Sequence, residues 1–147
     1  MSATRIAITM SFAAGLAGAA QASVSGALGR RVGSVQAAAF GAIVSAVLLV
    51  ALLLLSGRGA GVADVIRQPP WLLISGFFGA GIVLTVAYAP PRIGTFATVA
   101  LLIAGQLLAG AAIDAFGWLG TERIPVTVTR IVGLVLLTAG AALTLKR

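Results

Sequence analysis

The chain has 147 residues, 60% hydrophobic and 9% charged, with a net charge of +7. A soluble domain carries about a quarter charged residues, so this chain lacks the polar surface that water demands and reads as a membrane protein of one domain over 1–147. With no Cys, no His and three acidic residues, it lacks the usual metal ligands, general base and nucleophile–base pair, so neither an enzyme nor a metal or cofactor site is expected.

The ten basic residues sit singly or in pairs at the ends of apolar runs. Membrane proteins keep Arg and Lys there, reaching for the headgroups, so the partner is the lipid bilayer and not nucleic acid. Segment one, about 5–28, carries small residues at every fourth position (Ala7, Ser11, Gly15, Ala19, Ser23, Ala27), with a second row of Ala14, Gly18, Ala22 and Gly26 beside it. Such rows let helix backbones approach closely in lipid. Gln21 is its one large polar residue. A competing reading takes Ala20-Gln21-Ala22 as a signal-peptide cleavage site, but the preceding stretch is rich in Gly and Ala rather than strongly apolar.

Arg30-Arg31 and Gly33-Ser34 separate it from segment two, about 35–55, whose apolar tail is expected to face lipid. The loop Ser56–Gln68 is Gly-rich and polar, hence outside the membrane. Pro69-Pro70 opens segment three, about 70–89, where proline is tolerated in the first turn; Trp71 suits an interfacial belt. Pro90-Pro91-Arg92-Ile93-Gly94 turns the chain into segment four, about 94–117. Trp118 marks the far interface, and Pro125 opens segment five, about 126–145.

The fold class is therefore all-α, with five transmembrane helices. Segment four, just long enough for a hydrocarbon layer of roughly 30 Å, carries Gln106 near its middle and Asp114 two turns later. Neither is tolerated against lipid, so each faces protein or a water-filled cavity. Asp114 is the one carboxylate inside an apolar run. Its alternative role is a near-interface pair with Arg123 or Arg130. Interhelical packing is the alternative for Gln106 and Gln21, interfacial anchoring for Tyr88.

Charge sets orientation through the Lys/Arg difference between the two membrane sides. Arg5, Arg58, Arg67, Arg123 and Arg130 fall on the N-terminal side; Arg30, Arg31, Arg92, Lys146 and Arg147 fall on the other. The difference is zero. One reading is a chance balance, with a single loop or an insertion partner deciding the orientation; the other is a chain that inserts both ways and pairs with an oppositely oriented copy, forming from two chains the inverted repeat that many transporters encode in one.

Gln21-Ala22, the Pro-Arg-Ile-Gly turn (Pro91 to Gly94), Ala-Gly-Gln-Leu-Leu (Ala104 to Leu108) and Ile-Asp-x-Phe-Gly (Ile113 to Gly117) resemble the small YdcZ-type integral membrane proteins of the drug/metabolite transporter superfamily of bacterial inner membranes. The resemblance covers essentially the whole chain, and its most specific part is the segment-four signature. Members of that family occur as single chains, oppositely oriented pairs and fused repeats, which agrees with a ten-helix transporter formed by antiparallel homodimerisation, and the resemblance implies a cavity lined by the first, third and fourth helices. Carried over by position, the substrate-binding candidates are Gln21, Ser25, Tyr88, Gln106 and Asp114. Ser25 stands where the family usually has Asn.

Two functions follow as expectations. The first is an exporter of a small organic solute, working by alternating access as an antiparallel homodimer. The second is an accessory or regulatory membrane subunit that transports nothing. Gln106 discriminates them: it lines a polar, solvent-reachable cavity in the first case and a dry helix contact in the second.

Overall fold

A computed structural model describes residues 3–57, 59–61, 64–65 and 67–145. Arg58, Lys146 and Arg147 of the charge balance lie outside the described residues. Among the described residues there is no strand. The chain forms α1 (Ala3–Val32), α2 (Ser34–Leu55), α3 (Pro70–Leu73), α4 (Ser75–Tyr88), α5 (Pro90–Ile93), α6 (Thr95–Phe116) and α7 (Val128–Leu143). Thr4–Val32, Ser34–Leu55, Pro70–Ile93 and Thr95–Phe116 are long and apolar enough to cross a membrane. With 16 residues, α7 rises about 24 Å, slightly less than the hydrocarbon layer.

Each boundary has a local cause. Segment one runs past its expected end near residue 28 to Val32, because Arg30 and Arg31 in the last turn suit the negative end of the helix dipole and no breaker intervenes before Gly33. Gly33 sits at φ 98°, a conformation that favours glycine. Segment three is not one continuous helix. Bonds from Leu72 N–H to Pro69 O and from Phe77 N–H to Ile74 O, at 3.0 and 2.9 Å, follow the tighter i to i+3 pattern and separate α3 from α4 at Ile74. Gly94, at φ 85°, ends the proline turn that is α5. Segment five starts two residues later than Pro125 suggests, because Thr127 is the N-cap: its hydroxyl accepts from Arg130 N–H at 3.4 Å.

Two compact units result, Met1–Ala19 with Ile93–Arg147, and Ala20–Arg92; α1 contributes to both. Within the second unit α2 packs against α4. The core there is Ala37, Ala38 and Ala87, flanked by Leu28 and Val83. Alanine at these positions brings the backbones close, which is how helices associate where lipid removes the hydrophobic drive. Ala22, Gly26 and Gly29 are buried in the same unit, so it is the second small row of segment one, continued by Gly29, that is buried there. A Cβ at Gly26 would lie 2.8 Å from Pro90 Cβ, and one at Gly29 only 2.6 Å from the Ala87 carbonyl oxygen. The tail of α2, from Val47 to Leu55, is exposed except for Leu53, which is half-buried, as a lipid-facing surface requires.

Within the first unit α6 packs against α7. Thr98 is buried, and its hydroxyl donates to Gly94 O at 2.8 Å, which satisfies the one buried polar side chain among the described residues.

Candidate functional site

The α6–α7 pairing leaves a groove of about 410 Å³, lined among others by Gln106, Gly110, Asp114, Arg130, Leu134 and Leu137. That volume lies within the range of small-molecule sites. Gly110 and Gly133, one on each helix, remove side-chain bulk and open the groove. Leu107, Leu134 and Leu137 make its walls apolar.

Gln106 opens onto this groove. Among the described residues its carboxamide has no hydrogen-bond partner, so it does not clamp α6 to a neighbour within the chain.

Asp114 and Arg130 meet at the groove's charged end, Arg130 Nη1 donating to Asp114 Oδ2 at 3.3 Å. This is longer than the roughly 2.7–2.9 Å of a strong charge-assisted bond, and it is a single contact rather than a two-point one. The side chains are 49% exposed for Arg130 and 35% for Asp114. Asp114 lies in the last turn of α6 and Arg130 in the first turn of α7. Each charge therefore stands at the end of its helix where the dipole disfavours it, by about 0.3–1 kcal/mol. Helix stability alone would choose the reverse arrangement. Arg123 supplies a compensating cation, its Nε donating to Ala115 O at 2.9 Å. Ile124 N–H reaches Asp114 O at 2.9 Å, and Gly117, left-handed at φ 66°, bonds back to Ile113 O. The returning loop thus satisfies three carbonyls at the end of α6 that would otherwise be orphaned. Phe116 and Trp118 stack there at 4.8 Å between ring centroids.

The expected candidates divide between the two units. Gln106 and Asp114 share the α6–α7 groove. Gln21, Ser25 and Tyr88 belong to the unit Ala20–Arg92. Gln21 is exposed and Ser25 half-buried, and neither side chain has a hydrogen-bond partner among the described residues. Tyr88 is 50% exposed. The Arg92 guanidinium carbon lies 3.4 Å from its ring centroid, and Arg92 Nη1 donates to Tyr88 O at 2.6 Å. Such a cation–π pair at a helix end fits the interfacial anchoring set out as the alternative for Tyr88.

Of the two partners expected for Asp114 in its alternative role, Arg123 and Arg130, the structure pairs it with Arg130. The signal was present: Arg130 lies inside the fifth apolar segment, where a charge needs a partner. Gly110 and Gly133 carry no comparable signal, because glycine is common throughout the chain.

The family model described as "Putative inner membrane exporter, YdcZ" matches residues 6–143. No curated protein and no solved structure matches the chain.

Proposed function

Because the chain belongs to the YdcZ family of inner membrane exporters, a multi-pass transporter family rather than an enzyme class, we propose that it exports a small organic solute as an antiparallel homodimer with alternating access. In this reading residues 1–147 act as one five-span transmembrane domain, and two copies, oppositely inserted, form the ten-helix inverted repeat. Gln106, Asp114, Gln21, Ser25 and Tyr88 line the path of the solute. No cofactor is assigned.

The observation that carries the reading is Gln106. A primary amide without a partner in an apolar span is costly against lipid. Here it opens onto a groove that also holds a charged pair, whereas the accessory-subunit reading calls for a dry helix contact.

Gln106→Leu is the corresponding test. The amide makes no hydrogen bond within the described chain, so the variant retains the stability of the parent to within about 0.5 kcal/mol, the usual range for substitutions away from packed features, and unfolds at a similar thermal midpoint. Cells overexpressing the parent are expected to accumulate at least one solute in the medium above an empty-vector control, and Gln106→Leu removes that excess. An unchanged medium, together with loss of a co-purifying membrane protein in the variant, supports the accessory subunit instead.

A further inference from the structure

The Asp114–Arg130 pair has unused capacity on both sides. Only Asp114 Oδ2 and Arg130 Nη1 engage. Among the described residues, Asp114 Oδ1 accepts nothing and the remaining guanidinium nitrogens of Arg130 donate nothing. Both groups are partly exposed to the groove. The pair also opposes both helix dipoles, so stability of the two helices does not account for its orientation.

Asp114 and Arg130 are the two charged residues that line the groove, and together they are neutral; Arg123 does not line it and is held on the Ala115 carbonyl oxygen. A cationic ligand that engaged Asp114 would leave Arg130 unmatched beside apolar walls, and an anionic one would leave Asp114 so. Even at this partial exposure, an uncompensated charge beside apolar walls is disfavoured. A ligand carrying both charges engages both residues and leaves the site neutral. Beyond the pair the surface turns apolar. Leu107, Leu134 and Leu137 line the rest of this groove. Leu137 also lines a second groove of about 420 Å³ between the same helices, with Ile103, Leu136 and Ala141 among its walls. A charged end followed by an apolar track along the helix pair matches a molecule with a charged head and an apolar chain.

We propose that the α6–α7 groove binds a single-chain zwitterionic amphiphile taken from the bilayer, its ammonium on Asp114, its carboxylate on Arg130 and its chain along Leu107, Leu134 and Leu137. This names the solute class for the export reading and rests on that reading only for the claim that the bound molecule is moved.

The test compares three probes with the same length of chain: 2-aminododecanoate, dodecylamine and dodecanoate. Binding to the full chain purified in a neutral maltoside detergent is read by native mass spectrometry. The zwitterion is expected to bind about threefold to fivefold more tightly than either singly charged probe, the ratio that one partly exposed charge contact supplies. Asp114→Asn and Arg130→Gln each remove the preference, with folding checked by thermal midpoint. The exchanged pair, Asp114→Arg with Arg130→Asp, restores it, because the ligand can reverse its head while a cavity effect would not recover. Equal binding of the three probes, or a preference that survives either single substitution, overturns the proposal. So does displacement of the zwitterion by an equal concentration of phosphatidylethanolamine, which would make the occupant bulk lipid. Binding with the expected preference but no export of the probe from loaded cells contradicts the export reading and leaves the site standing. Export of other solutes without any head-group preference contradicts this inference alone.

Discussion

Gly29→Ala destabilises the protein, although the same change in an isolated helix would stabilise it. Alanine gains about 1 kcal/mol over glycine in a helix interior. At position 29, however, the added Cβ would lie 2.6 Å from the Ala87 carbonyl oxygen. That neighbour is backbone and cannot rotate aside, so α1 and α4 must separate. Overpacking of this kind costs about 1–3 kcal/mol, and the separation also disturbs Ala37 and Ala38, which pack with Ala87 in the core. The clash exceeds the helix gain. Gly26→Ala is expected to act in the same direction, with Pro90 Cβ at 2.8 Å. Gly15 and Gly18 have nothing within 4 Å of an added Cβ, so Gly15→Ala and Gly18→Ala keep the helix gain and match or exceed the parent. Thermal midpoints of the four variants in one detergent decide the matter. A stabilised Gly29→Ala would contradict the close approach of α1 to Ala87.

The same residues show what the sequence could and could not convey. All five apolar stretches and their flanking prolines and tryptophans were legible, because length and hydropathy alone demand them. The two small rows of segment one were legible as packing surfaces. Which row is buried was not: that depends on Pro90 and the Ala87 carbonyl, some sixty residues away in sequence. For the same reason the close approach at Gly29, which lies inside α1 beyond the expected end near residue 28, has no signal in the sequence. The break at Ile74 had no signal in its own side chain. In the groove, Gln106 and Asp114 stood out as polar residues in an apolar run, and Arg130 was legible as one of two possible partners of Asp114; the fold decides between them, because Arg123 turns to the Ala115 carbonyl instead.

Fixing the orientation of the chain abolishes export, and mixing the two orientations restores it. The even division of basic residues is what allows insertion both ways in the proposed dimer, and two added arginines suffice to tip it. Gly61→Arg with Gln68→Arg adds them on the N-terminal side, and Val35→Arg with Gln36→Arg adds them on the opposite side. All four positions are exposed, so folding is expected to survive. Each double variant alone should be inactive, since it supplies only one half of the inverted pair, and co-expression should recover export. The solute excess in the medium, measured as for Gln106→Leu, is the readout. Full activity of either variant by itself contradicts the antiparallel homodimer.

The most direct test of that central claim uses a property of the sequence itself. The chain has no Cys, so a single introduced thiol reports its side of the membrane without background. Ser34 is the first residue of α2, and Ser56 follows its last; they mark opposite ends of one span. Ser34→Cys and Ser56→Cys are each expressed alone and exposed, in intact cells, to a membrane-impermeant maleimide. Dual insertion predicts that both positions react to comparable extents, each leaving a fraction that is labelled only after the cells are opened. Complete labelling at one position and none at the other would show a single orientation and contradict the antiparallel assembly.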